Sequence, residues 1–310
     1  MLPILSLIVL IPILFSAVTF LTKTREQARI SALVGTLITL VLTLYMYFSF
    51  DSTTAAMQFE EMANWIPSLG ISYHLGVDGV SMPLILLNSI VIPLLIIYTW
   101  DDVRSAPNRF YGLILAMQGA VIGVFVALDF FIFYIFWELT LVPLFFMVNI
   151  WGGSNKKHAA IKFFIYTHVA SLVMLLGIFG LYFNAWSITG SPNMDMAHLI
   201  SQFQFFESGG LRDAIFLALL FGFIVKLPVV PFHSWLPDAY SEAPTAGSVL
   251  FILLKIGGYG LFRVMLPMLP FTATPSLMIT IMGALGAVSI LYGAFLALAQ
   301  KDLKRMIAYS

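Results

Sequence analysis

The stretch Lys226-Leu227-Pro228-Val229-Val230-Pro231-Phe232-His233-Ser234-Trp235-Leu236-Pro237-Asp238 decides how this chain is read. The apolar run that starts after Asp213 carries Lys226 about 20 Å along a helix, near the middle of a bilayer. Three prolines then follow within ten residues, at 228, 231 and 237. Proline lacks the N–H a helix interior needs and clashes with the carbonyl four residues back, so no unbroken helix holds all three. Broken backbone at that depth is tolerated only against protein or a wet cavity. It is also a mark of ion sites in transporters. A proline kink near a membrane exit is the plainer alternative. His233 sits in the broken stretch, seven residues after Lys226. A lone histidine is more often a satisfied core residue, but beside water-accessible backbone it reads as a proton relay.

Composition agrees with a membrane reading. Of 310 residues, 60% are hydrophobic and 10% charged, and the mean hydropathy is +0.98. Soluble domains are nearer half apolar and a quarter charged. A soluble enzyme, a nucleic-acid-binding module and a disordered chain are therefore excluded. Fifteen Lys+Arg balance fifteen Asp+Glu, leaving no basic surplus for nucleic acid. There is no cysteine, hence no disulfide, thiolate zinc site or cysteine-ligated cluster in this sequence. The five histidines have no carboxylate at ligand spacing, so no metal site is expected. No glycine-rich phosphate loop follows a strand, so no nucleotide site is expected either.

The sequence predicts an all-α polytopic protein with about nine membrane helices, near 2–22, 30–50, 80–100, 110–128, 130–150, 160–184, 213–240, 244–266 and 276–299. The seventh is broken, and a tenth begins at Met306. The first reads as a true span rather than a cleaved signal, because no basic residue precedes it. With alternating spans, Lys23, Arg25, Arg29, Arg104, Arg109, Lys156, Lys157, Lys162, Lys301, Lys304 and Arg305 all fall on one side. By the positive-inside rule that side is cytoplasmic and the N-terminus is outside. The longer polar loops, about 51–77 and 185–211, are then on the outer side and read as ordered caps or flexible loops.

Two further ionisable groups lie deep in these spans. Glu138, in Phe136-Trp137-Glu138-Leu139-Thr140, is about 12 Å from the outer end of the fifth. Lys255 is about 16 Å into the eighth. Either could be half of an ion pair that merely locks packing. One carboxylate, however, cannot neutralise two ammonium groups, so at least one lysine is neutral, hydrated or paired elsewhere. A desolvated lysine can titrate near neutrality, and an approaching carboxylate raises its pKa again. That is the chemistry of a switchable proton carrier. His168, within the sixth helix, is a secondary relay candidate; a neutral, hydrogen-bonded histidine is its plainer reading. Gly257-Gly258-Tyr259-Gly260 after Lys255 allows close helix packing.

Four stretches carry a resemblance: Trp137 to Pro143, Lys226 to Asp238, Glu242 to Ser248, and Leu254 to Arg263. They are similar to the antiporter-like subunits of respiratory complex I, within that family to the branch called chain M. Leu75 to Ser81 also suits that branch. The resemblance implies inverted five-helix repeats, each with a broken helix, and proton pumping without a redox centre. It implies that residues 1–109 form N-terminal helices, 110–266 the first repeat and 267–310 the start of a second. Further helices would follow Ser310. Lys226 would be the broken-helix lysine, Glu138 the carboxylate that tunes it, Lys255 the central relay and His233 part of the hydrated path. NADH, FMN, iron–sulfur clusters and quinone would belong to partner subunits. So would the neighbouring antiporter-like subunits, in an energy-transducing inner (cytoplasmic) membrane. A multisubunit cation/proton antiporter, or a related hydrogenase or dehydrogenase complex, shares these motifs. The stretch from Val249 to Lys255 is about two residues shorter than usual in the family, which local unwinding near Gly247 would absorb.

Overall fold

The computed structural model describes residues 3–207, 209–272 and 274–310. Leu2, included in the first expected helix, lies outside the described residues. In chain order the elements begin with α1 (Ile4–Leu21), α2 (Arg25–Phe48), the hairpin β1 (Gln58–Ile66) and β2 (Ile71–Val77), and α3 (Ser81–Tyr98). There follow α4 (Pro107–Val126), α5 (Phe130–Leu139), α6 (Leu141–Trp151), α7 (Lys156–Thr189), α8 (Met196–Gln202) and α9 (Gly210–Lys226). Then come α10 (Trp235–Glu242), α11 (Thr245–Leu253), α12 (Ile256–Gly260), α13 (Leu266–Met268), α14 (Pro275–Ala299) and α15 (Leu303–Tyr309). Among the described residues, 8 helical stretches are long and apolar enough to cross a membrane. The expected seventh span is not among them. Its break leaves α9 with 17 residues, about 26 Å, short of a hydrocarbon layer of about 30 Å.

Three of the expected spans are interrupted, the seventh as expected and the fifth and eighth in addition. Between α5 and α6 the break falls at Thr140, where Pro143 cannot donate to the carbonyl of Leu139. Thr140 Oγ1 donates instead to the Trp137 carbonyl at 2.7 Å. Residues 227–234 separate α9 from α10, as the prolines require. The eighth span is interrupted at Leu254 and Lys255, not near Gly247, which lies inside α11. A π-helical turn, Leu261–Met265, follows α12. Of the two longer polar loops, one holds the hairpin and the other α8, which fits the ordered-cap alternative.

The chain divides into two compact units. Unit 1 comprises Met1–Trp65, Ser72–Met147 and Thr245–Leu254. Its close packing rests on small residues. A side chain at Gly119 would meet Ile13 and the Val9 carbonyl, and one at Gly123 would strike the Phe136 ring. Ser16 Oγ donates to the Gly112 carbonyl at 2.7 Å, tying α1 to α4. At one end of the unit, Arg25 donates to the carbonyls of Trp100 and Asp101, and Arg29 pairs with Asp101 at 3.4 Å. At the other end, fully buried Asp129 caps α5 through the Phe131 and Ile132 N–H groups. It also accepts from the Ser72 N–H of β2 at 3.0 Å. Glu61 of β1 accepts the Leu5 and Ser6 N–H groups at the start of α1, where the helix dipole favours an anion.

Unit 2 comprises Ile66–Ile71, Val148–Pro244 and Lys255–Ser310. Here α7 and α9 run antiparallel in close contact: Gly177 abuts Leu219, Gly180 abuts Ile215 and Gly222 abuts Met174. At one end Tyr182 donates to the Leu69 carbonyl, Met194 N–H to Gly70, and Arg212 to Phe271. At the other end lie Lys162, Asp238, Lys304 and Arg305. Within each unit, then, the loops meet in the alternation expected of successive spans.

Candidate functional site: a broken helix carrying a buried lysine

Lys226 is the last residue of α9 and is 4% exposed, in an otherwise apolar segment. The chain then leaves the helix axis, and its freed backbone groups find partners one by one. Val229 N–H reaches back to the Ile224 carbonyl at 2.9 Å. Val230 N–H donates to Ser289 Oγ of α14 at 3.0 Å. Trp235, 1% exposed, opens α10 and donates through its indole Nε1 to the Val225 carbonyl at 3.0 Å. That bond pins the far side of the break to the residue before Lys226. The Trp235 ring packs on Phe163 of α7 with centroids 5.2 Å apart.

Within unit 2, α12 lies against this break. A Cβ at Gly257 would come within 2.7 Å of both the Leu227 nitrogen and the Phe223 carbonyl, and one at Gly260 would collide with the Phe223 ring. Glycine at both positions lets α12 approach α9 backbone to backbone, as the Gly-Gly-Tyr-Gly run suggested. Lys255 is the N-cap residue of α12, so its backbone is next to this contact while its side chain is exposed.

His233 is half-buried in the broken stretch, its ring 5.4 Å from that of Tyr292 and 6.3 Å from that of Tyr309. Below it, Lys162 Nζ donates to the Ser234 carbonyl at 2.8 Å and to Asp238 Oδ2 at 2.7 Å. Arg305 Nη2 reaches Asp238 Oδ1 at 3.2 Å. Glu242, one turn on, accepts the Asn155 N–H at 2.9 Å, and Lys304 donates to the Ala243 carbonyl at 2.7 Å. His168, half-buried in α7, stacks on Phe164 at 5.3 Å. Unit 2 therefore holds Lys226, His233, Lys255 and His168, with the first two on one broken helix. Glu138 belongs to unit 1, half-buried in the last turn of α5 and two residues before the Thr140 break.

Sequence reasoning missed the cluster of Lys162, Asp238 and Arg305. Asp238 stands next to Pro237 in an apolar neighbourhood, which was a usable signal. Its partners are 76 and 67 residues away and carry no local one. No group of three His, Asp or Glu that could hold a metal ion occurs among the described residues.

Eight apolar spans and a lysine held at a proline-broken helix define an integral, multi-pass membrane protein of the antiporter-like kind. The chain belongs to the family described as NADH:quinone oxidoreductase/Mrp antiporter, TM, which matches residues 127–310. It is 70% identical over 310 residues to F(420)H(2) dehydrogenase subunit M of Methanosarcina mazei, covering 63% of that protein. To NADH-quinone oxidoreductase subunit M of Escherichia coli it is 39% identical, covering 89% of this chain and 55% of the other. Among solved structures, a chain of respiratory complex I from Thermus thermophilus with bound NADH superposes with a TM-score of 0.84 at 29% identity. That match covers 98% of this chain and 61% of the other. The chain thus spans about three fifths of the length of the relatives it matches.

Proposed function

We propose that this chain is the M-type, proton-translocating membrane subunit of a respiratory oxidoreductase complex, and that it carries no redox group itself. Lys226 is the proton-holding group, Glu138 the carboxylate that modulates it, Lys255 the next relay and His233 a member of the hydrated path. The observation that carries this reading is the position of Lys226: nearly inaccessible and at the point where an apolar helix stops. A lysine there is costly unless function retains it. The glycine-mediated approach of α12 gives a short route from Lys226 toward the Lys255 backbone. FMN, iron–sulfur clusters and the electron donor and acceptor belong to partner subunits, in an energy-transducing membrane with the N-terminus outside. The one-sided distribution of basic residues supports that orientation.

Seventy per cent identity to an F(420)H(2) dehydrogenase subunit, against 39% to the NADH-quinone oxidoreductase subunits of two bacteria, favours a complex of the former kind. The family also includes Mrp antiporters, which makes an ion/proton exchanger the rival reading. Co-purification with flavin and iron–sulfur subunits separates them. The mechanism is tested by Lys226→Ala and Glu138→Gln in the intact complex reconstituted in vesicles. Both are expected to abolish most proton pumping while assembly is retained. Unchanged proton-to-electron stoichiometry in both defeats the relay.

A further inference from the structure

Gln118 of α4 is fully buried, and neither its amide nitrogen nor its amide oxygen has a hydrogen-bond partner among the described residues. Asn88 of α3 is 2% exposed, and its Oδ1 is likewise without a partner. Both lie in unit 1. A buried amide left unsatisfied is costly anywhere, and more so where hydrocarbon surrounds the protein. Two of them on facing helices need a common explanation.

Tyr111 ties α4 to one end of α3. Its hydroxyl donates to the Thr99 carbonyl, at the C-terminal end of α3, at 2.9 Å. Gln118 is about two helical turns beyond Tyr111 and shares its face. Asn88 is about three turns before Thr99 and shares that face of α3. The helices pack together and run in opposite directions, so the two buried amides come to about one turn of each other in height. Their neighbours three and four residues along each helix, Ile85, Ile92, Leu115 and Ile122, are apolar and buried.

We propose that Gln118 and Asn88 hold one or two water molecules between α3 and α4, in a closed site at mid-membrane depth. A water there donates to Asn88 Oδ1 and to Gln118 Oε1 and accepts from Gln118 Nε2. Those three bonds are the usual complement of a buried water. The site is separate from the lysine relay and does not depend on that reading. Its occupant is a small neutral hydrogen-bonding molecule, because no charged side chain lies on these faces to neutralise an ion.

The test uses the protein purified from its own membrane with the subunits that accompany it. A cryo-electron-microscopy map fine enough to show ordered solvent is expected to have a density peak within hydrogen-bonding distance of both side chains. Thermal unfolding supplies an independent arm. Gln118→Met and Asn88→Leu each strip the site of a partner, and each is expected to lower Tm by about 2–4 °C. The double variant removes both polar partners and is expected to lose clearly less than the sum. Direct amide-to-amide contact in the map, or strictly additive Tm shifts, overturns the proposal.

Discussion

Lys162 Nζ lies 2.7 Å from Asp238 Oδ2, which joins the second turn of α7 to the short helix that follows the proline break. The same ammonium group also donates to the carbonyl of Ser234, the N-cap residue of α10, so one side chain serves two acceptors. The lysine and aspartate side chains are 24% and 30% exposed, so water screens this pair less than an ordinary surface one.

Lys162→Met is therefore expected to destabilise the protein by about 1–3 kcal/mol, since it removes the donor shared by the Ser234 carbonyl and the Asp238 carboxylate and leaves that carboxylate to Arg305 alone. Arg305→Ala, at the 46% exposed end of the cluster, is expected to cost no more than about 1 kcal/mol. Thermal unfolding in detergent measures both, and equal losses would contradict the ranking.

Gly260→Ala puts a methyl group into the Phe223 ring. Overpacking of this kind costs about 1–3 kcal/mol. Phe223→Leu in the same chain is expected to recover part of the loss by vacating the space. A double variant no better than Gly260→Ala alone would place the strain elsewhere.

Asp129→Ala removes the α5 N-cap and the acceptor for Ser72 in one step. The expected loss is about 1–2 kcal/mol. Hydrogen exchange is the informative readout, with the Phe131, Ile132 and Ser72 amides exchanging faster and α2 unaffected.

Asp51, in the polar loop before β1, is held below the ordinary carboxylate range by its hydrogen bonds from the Thr53 hydroxyl and N–H. A depressed folded-state pKa contributes stability above the unfolded value of 3.8 and loses it as pH falls through the folded value. Thr53→Val deletes the hydroxyl donor, so the Asp51 titration is expected to move up toward 3.8, as followed by carboxyl NMR shifts. No movement would mean that the backbone donor suffices.

Most of the architecture was readable before any coordinates, because hydrocarbon imposes length and apolarity on every span. The broken helix was readable for a similar reason: Pro228, Pro231 and Pro237 forbid a regular helix whatever surrounds them. The break at Thr140 had a weaker signal in Pro143, which often only bends a helix. The interruption at Lys255 had no proline to mark it, since none lies between Pro244 and Pro267; the shortened stretch from Val249 to Lys255 pointed to unwinding, but near Gly247. The glycines that follow it, Gly257 and Gly260, pack directly on Phe223 and Leu227. Lys226 and Glu138 announced themselves by being charged in oil. Lys162, Asp238 and Gln118 did not, since their meaning depends on neighbours far along the chain.

The 34 residues of α7 contain no proline and run about 51 Å without interruption. A hydrocarbon layer of about 30 Å cannot swallow such a rod even at the steepest tilts such helices adopt. It stands proud of the bilayer, with Lys162 near one tip and Tyr182 near the other. The rod thus spans, without a joint, the distance from the Lys162–Asp238 ion pair to the Tyr182 hydroxyl bonded to the Leu69 carbonyl.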